Sequence, residues 1–315
     1  MSKYKVKPSS PQGLKTFPHR SIKGKITTSH FAKPFLSSGS FETFLSGLPD
    51  VLAAKNLKNL ISLMRNAKKK KKAILCALGA HPIKLGLNPL LIDLMKEGWI
   101  TGLALNGAGI IHDFEIAFSG YTSEDVERQI KDGGFGMSRE TGTKLNEAIC
   151  AGQDNLGLGE IVGKMLASSA FPFKHLSLLA AAYEQNIPVT VHVAIGTDTI
   201  HFHPKVSGGA LGKTSLRDFF LFCSLVKGLD DGGVFLNIGS AVVLPEVFLK
   251  AVSFIRNKGS DLDGFSTAVF DFIHHYRPHQ NVVKRPLGKK GKGFYFIGHH
   301  ELMIPLLAAA LKSNS

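Results

Sequence analysis

From residue 73 onward, short runs of β-branched and other apolar residues alternate with longer stretches at helical spacing, and no other feature constrains the fold as strongly. The runs AILCALG (73–79), ITGLALN (100–106), VTVHVAI (189–195), GVFLNIG (233–239), GFSTAVF (264–270) and FYFIG (294–298) read as strands. Between them, 88–97, 175–185, 215–227, 245–257 and 301–312 carry the helical period. Several strands are apolar almost throughout, as a parallel sheet covered by helices on both faces requires. The alternation predicts an α/β fold, a doubly wound and mostly parallel Rossmann-like sheet with right-handed crossovers. Ligands of such sheets bind along the strand carboxyl ends.

Charge does not describe this body. The 38 Lys and Arg against 24 Asp and Glu give +14, which by itself suggests a nucleic-acid binder. Residues 1–41, however, hold eight of the basic residues and no acid, and the lysines at 68–72 add five. Only +1 remains for everything else, so nucleic acid is not the expected partner. The expected organisation is a Ser-, Pro- and Lys-rich basic arm over 1–41 and a single α/β domain over 42–315. The lysine run falls at a loop or helix end between a helix over 41–65 and the first strand. A Gly-rich, partly helical insertion over 122–173 suits a lid or interface, with Thr122 to Asp125 resembling a capping box. Three widely spaced cysteines without a CxxC pair point to a reducing, cytoplasmic setting, and no apolar run is long enough for a membrane span.

The predicted strand ends collect the chemistry. They read Gly79-Ala80-His81, Asn106-Gly107-Ala108-Gly109 with His112-Asp113, Gly196-Thr197-Asp198 with His201 and His203, Asn237-Ile238-Gly239-Ser240-Ala241, Asp271 with His274-His275, and Gly298-His299-His300-Glu301. Small residues before a helix let backbone approach a phosphate, and an acid at a neighbouring strand end suits ribose hydroxyls. Neither GxGxxG in its Rossmann setting nor a Walker sequence is present. Eight of the thirteen histidines lie in these loops, where imidazoles with carboxylates serve acid–base chemistry or, alternatively, hold a metal. His192, inside an apolar strand, reads as a core histidine.

Four segments together resemble the deoxyhypusine synthase family. They are 76–118 (with GAHPIKLGL and LIDLMKEGWITGLALNGAGIIHDFEIAF), NIPVTVHVAIGTDT (186–199), LNIGSAVVLPEVFLKAVSFIR (236–256) and IGHHELMIPLLAAAL (297–311). The resemblance spans roughly 73–312 in unchanged order. It implies an NAD-dependent aminoalkyl transferase acting on a small amine, assembled as a homo-oligomer (a tetramer or dimer), with a protein acceptor as a further partner. In that chemistry NAD takes hydride from the amine, and an enzyme lysine captures the imine. The resemblance places Asn106, Gly107, Ala108, Gly109, His112, Asp113, Asp198, Gly239, Ser240, Ala241 and His299 around the cofactor. It places Lys284, six positions after Pro278, at the catalytic lysine, with His203, His275 and Glu246 as further catalytic candidates. Lys284 also reads as a surface lysine beside the GKKGKG turn, and a Schiff-base lysine needs burial or cationic neighbours.

The departures matter as much. The family's tryptophan before its lysine is missing. His112 stands where the family has its ribose-binding glutamate. His203 and the His274-His275 segment replace acids that hold polyamine ammonium groups. Pro245, followed by Glu246, replaces a histidine, and His299 replaces an aspartate. A dication needs carboxylates to offset its desolvation, so these exchanges predict a neutral or anionic substrate and an activity divergent from spermidine-dependent synthesis. Two other classes remain: a metal-dependent enzyme using the histidines, and a non-catalytic binding protein whose arm engages an acidic partner.

Overall fold

A computed structural model describes residues 3–313. After the arm come α1 (Phe41–Gly47), α2 (Leu52–Lys69), β1 (Ile74–Leu78), α3 (His81–Lys84), α4 (Asn88–Lys96), β2 (Gly102–Asn106) and α5 (Gly107–Ser119). The next stretch holds α6 (Val126–Gln129), α7 (Arg139–Gly152), α8 (Leu158–Ala167), α9 (Leu178–Glu184), β3 (Val189–His192) and α10 (Gly208–Lys227). The chain ends with β4 (Val234–Ile238), α11 (Val243–Asn257), β5 (Ser266–Asp271), α12 (Tyr276–Pro278), a π-helical turn at His279–Lys284, β6 (Gly293–Ile297) and α13 (His300–Lys312).

The six strands form one parallel sheet in the order β3-β2-β1-β4-β5-β6, with Cys76 opposite both Leu103 and Leu236. Strand alternation divides the core. Ile74, Cys76 and Leu78 join the larger cluster, which includes residues of α2, α4, α5 and α13; Leu75 and Ala77 face Phe222, Phe235 and Phe248 on the other side. The strand order reverses between β1 and β4, which opens a crevice at their carboxyl ends.

Boundaries differ from the sequence expectation where side chains intervene. The helix expected over 41–65 is broken in two at Pro49, which holds Leu48 extended (ψ 146°). β3 stops at His192 because the next amide, Val193 N–H, donates to Ser215 Oγ (3.2 Å) instead of a ladder partner. α10 starts seven residues early, capped by Ser207 Oγ on Ala210 N–H (3.2 Å). Thr122 opens no helix. α6 begins at Val126 under an Asp125 cap, and Thr122 is engaged elsewhere. The insertion is not wholly peripheral either, since Leu158, Val162 and Leu166 of α8 lie in the main core. The lysine run ends α2, with Lys68 Nζ 3.9 Å from the Trp99 ring centroid.

The arm lies exposed, tied to the body by Asp50 N–H to His30 O (3.0 Å) and Lys33 N–H to Gly47 O (2.9 Å). Among the described residues, no helix is long and apolar enough to cross a membrane.

His192 is buried as expected, 3.0 Å from Thr190 Oγ1 and edge-on to Phe222. Burial pushes its imidazole down from 6.5 to about 4. Neutral His192 therefore contributes stability that is complete above the unfolded value and lost as pH falls toward 4. Asp218, pushed up to about 7 by burial, runs oppositely and loses its contribution as pH rises through that value. The His192→Gln variant isolates the first effect. Denaturant unfolding across this window should show its stability relative to wild type rising by about 3 kcal/mol between neutral pH and pH 4, and parallel curves would refute the assignment.

Candidate functional site

The crevice at the reversal of strand order is lined by backbone. A Cβ on Gly79 would overlap the carbonyl oxygen of Gly239, so the ends of β1 and β4 approach closer than any side chain permits. Gly239 takes φ +66°, and a Cβ there would press on the His300 ring. The following turn is internally held: Asn237 Nδ2 donates to Ser240 O (2.9 Å), and Ser240 Oγ accepts Leu244 N–H (3.3 Å) at the start of α11. Ser240 thus spends its hydroxyl on the helix, while Ala241 stays half-buried beside it.

One strand away, Asn106 at the end of β2 caps α5, its Oδ1 accepting Gly109 N–H (3.1 Å). The Asp198 carboxylate covers this first turn. It accepts Ala108 N–H, and a Cβ on Gly107 would overlap its Oδ2. His201 Nδ1 accepts from Gly196 N–H (3.1 Å) and Asp198 N–H (3.2 Å), so its Nε2 carries the proton of the neutral ring. That Nε2 lies 3.7 Å from Asp198 Oδ2, and both atoms are buried without a hydrogen-bond partner. Burial holds the Asp198 acid above its ordinary value, while His201, opposing it, is the largest of the influences that lower it. Such orphaned polar atoms invite a group that both donates and accepts, as a sugar hydroxyl does.

Asp198 lines a cavity of about 190 Å³ together with Lys84, Ala108, His112 and Thr197. Glu115, Ser123 and Glu124 also line it, and the same three residues line a neighbouring cavity of about 490 Å³ that adds Phe118, Tyr121 and Glu140. The two spaces are therefore neighbours that share these residues as a common wall. Glu115 sits at the seam, where Thr122 Oγ1 donates to its Oε2 and Thr141 Oγ1 to its Oε1 (3.4 Å). His112 Nδ1 lies 2.7 Å from the same Thr122 oxygen. Burial alone would raise the Glu115 acid, but the His112 side chain beside it, followed by Thr122 and Thr141, outweighs burial and holds the carboxyl below its ordinary value.

Of the residues assigned to the cofactor, Asn106 to Gly109, His112 and Asp198 gather here, with Gly239 to Ala241 at the adjacent reversal point. Asp113 does not. It is fully buried facing α9, accepting Ser177 Oγ–H (2.6 Å), Leu178 N–H (2.7 Å), Leu179 N–H (3.1 Å) and Asn88 Nδ2 (2.9 Å), so it has no capacity left for a ligand. His299 is exposed on its own helix end, 3.9 Å from Glu301.

The catalytic candidates scatter. His203 packs so tightly on α7 that a Cβ at Gly142 would overlap its ring. His275 stands 3.7 Å from Asp271 at the end of β5. Glu246 binds Lys250, Asn281 (2.8 Å) and Arg277 (3.4 Å) at the surface. Lys284 is exposed and on the wrong side of the sheet. Thr267, near the start of β5, donates to Val282 O (2.8 Å), and Val283 O abuts Gly293, the first residue of β6, so the turn ends by the strand amino ends. Lys84 is the lysine that lines the cavity.

Sequence reasoning missed Glu115, Glu124 and Glu140. The available signal for Glu115 was its i, i+3 spacing from His112 on α5. These carboxylates place acids around the insertion in addition to the imidazoles at the strand ends. The metal alternative lacks a donor set: among the described residues no three His, Cys, Asp or Glu converge.

The sheet and its reversal point define a doubly wound, all-parallel α/β fold shared with deoxyhypusine synthase-like structures. No protein-family model and no curated protein matches the chain. Among solved structures it is similar to unliganded AgrE (TM-score 0.54, 15% identity, covering 83% of this chain and 33% of that one). It is similar to ArgZ, an arginine dihydrolase of the ornithine-ammonia cycle in cyanobacteria (0.53, 17%, 84% and 34%). A third is a putative deoxyhypusine synthase from Entamoeba histolytica (0.51, 11%, 89% and 95%). The chain thus spans about a third of the AgrE and ArgZ chains and nearly the whole of the third. These likenesses show the fold.

Replacing Gly79 with Ala should destabilise the protein by about 3 kcal/mol through enforced separation of β1 and β4. Gly86→Ala, where a Cβ meets open space but φ is +73°, should cost only about 1 kcal/mol. Chemical denaturation of the pair checks this, and equal losses would refute the close approach.

Proposed function

We propose that this protein is an NAD-dependent enzyme of the deoxyhypusine synthase-like fold that acts on a small cationic amine. The observation that carries this reading is the carboxylate-lined cavity that shares a wall with the space beside Asp198 and the first turn of α5. AgrE, of similar fold, has been crystallised with ornithine and NAD+, which supports the same pairing of a cofactor with an amine.

The residues present fit the cofactor. Asp198 and His201 supply orphaned acceptor and donor atoms for a hydroxyl. Gly79 and Gly239 offer bare backbone at the reversal point. When bound, the cofactor would supply a hydride acceptor. The chain's own residues bind and orient the amine: Glu115, Glu124 and Glu140 offset the desolvation of its ammonium groups, with Phe118 and Tyr121 against its carbon chain. Aminoalkyl transfer through an enzyme lysine, which the family resemblance implies, would run through Lys84 and not Lys284.

The same reading includes a homo-oligomer. Val242, Phe272, Ile273, Ile297 and Leu302 leave apolar side chains exposed at or just beyond the ends of β4, β5 and β6, where a second copy could cover them.

Saturating NAD+ should raise the melting temperature by roughly 5 °C or more. Asp198→Asn should abolish most of that rise while the protein remains folded. The absence of any shift in wild type would overturn the cofactor assignment. Light scattering of the same samples reports the oligomer, and a monomer at micromolar concentration would refute it.

A further inference from the structure

His112 carries a hydrogen-bond arrangement that the family resemblance does not explain. Its Nδ1 lies 2.7 Å from Thr122 Oγ1, and the same hydroxyl donates to Glu115 Oε2. Thr122 has a single hydroxyl hydrogen, and an ionised carboxylate can only accept. That hydrogen is therefore committed to the Glu115 carboxylate. The remaining contact closes only if His112 Nδ1 is the donor, so the chain runs His112 Nδ1–H to Thr122 Oγ1–H to the Glu115 carboxylate. The proton of the neutral ring then sits on Nδ1, and Nε2 is bare. Nε2 makes no hydrogen bond, yet it is not among the sealed, unpartnered buried atoms, and the side chain lines the 190 Å³ cavity. The neutral ring thus leaves one nitrogen lone pair unpaired, on a side chain that borders the ligand space.

We propose that His112 is the proton acceptor of this cavity, locked by Thr122 and Glu115 in the tautomer that offers Nε2 to a substrate ammonium group. The inference rests on the amine reading above and adds to it the group that makes the amine reactive. An ammonium nitrogen has no lone pair to push into a C=N bond as its neighbouring carbon is oxidised, so a base must act first. The step is a simple proton transfer: an ammonium N–H bond breaks, its electron pair stays on nitrogen, and the proton forms a new bond to Nε2. The resulting imidazolium has Glu115 3.7 Å away on its own helix. Asp198 faces it from the loop after β3 and Glu124 from the loop after α5, with Lys84 on α3 the opposing cation. Thr122 and Glu115 act as positioning residues, fixing the tautomer through the nitrogen that faces away from the substrate.

The test uses the full-length protein labelled with nitrogen-15 in histidine, the His112 ring being assigned by its absence in His112→Gln. Proton–nitrogen correlation at mildly alkaline pH should show a protonated Nδ1 and a bare Nε2. Thr122→Ser should keep this pattern and Thr122→Val should lose it. A linear alkyl diamine added to the wild type should move Nε2 toward the protonated range and leave Nδ1 in place, a response that a purely structural bridge would not give. A proton found on Nε2 in the free protein overturns the proposal. A diamine that raises the melting temperature yet leaves Nε2 unmoved also overturns it, with the amine reading intact. A diamine that changes neither signal removes the amine reading and this role together. Failure of NAD+ to bind is read separately and leaves the tautomer result standing.

Discussion

Three buried aspartates at helix N-termini hold the β2–β3 half of the molecule together. Asp113 closes the first turn of α9, Asp218 bonds Gly159 N–H at the start of α8 and Val191 N–H in β3, and Asp198 covers the first turn of α5. Each helix start gains a carboxyl oxygen as acceptor where the backbone offers unsatisfied N–H groups and a positive dipole end. Burial raises all three acids, and only their donors keep the carboxylates affordable in the interior. The glycines at the covered starts follow from this arrangement: a Cβ at Gly107 would overlap Asp198, and one at Gly157 would overlap Asp218.

The three differ in how completely they are satisfied and in whether they border a cavity, and the second difference separates scaffold from site. Asp113 has four donors on its two oxygens. Asp218 shares its Oδ2 between two amides, while its Oδ1 is buried without a partner against the glycine turn. Asp198 keeps Oδ2 unpartnered beside an equally unpartnered His201 and is the one of the three that lines a cavity. An α5 start already covered by a carboxylate is no free anion hole. A ligand at this end of the sheet meets an acceptor first, which suits hydroxyls and ammonium groups better than a phosphate.

Much of the fold was legible because it rests on periodicity. All six strands lie where the β-branched runs fall, since a doubly covered parallel strand must be apolar on both faces. The strand-end rule also pointed to Asp198 and the 106–109 turn, which meet at the carboxyl ends of β2 and β3. What sequence could not show was direction. Asp113 and His112 are adjacent on α5, and helical geometry turns one into the core and leaves the other facing the cavity. Lys284 failed for a similar reason. Its spacing from Pro278 fits the resemblance, but the short π-helical crossover carries it past the sheet to the strand amino ends.

The insertion changes what the strand ends can mean. Histidines at positions where the family has acids imply a site that has lost its cation-binding character. The loop after α5 reverses that implication by folding Thr122 and Glu124 back against Glu115, while α7 contributes Glu140 and Thr141. The negative charge has moved from strand ends, where geometry is fixed by the sheet, to a loop and helix that only tertiary packing brings together. An imidazole at residue 112 is then no longer a substitute for a carboxylate. With Glu115 one turn away, the same helix face holds both the ionised group and a neutral ring that can change its charge, and a site for amine chemistry needs both.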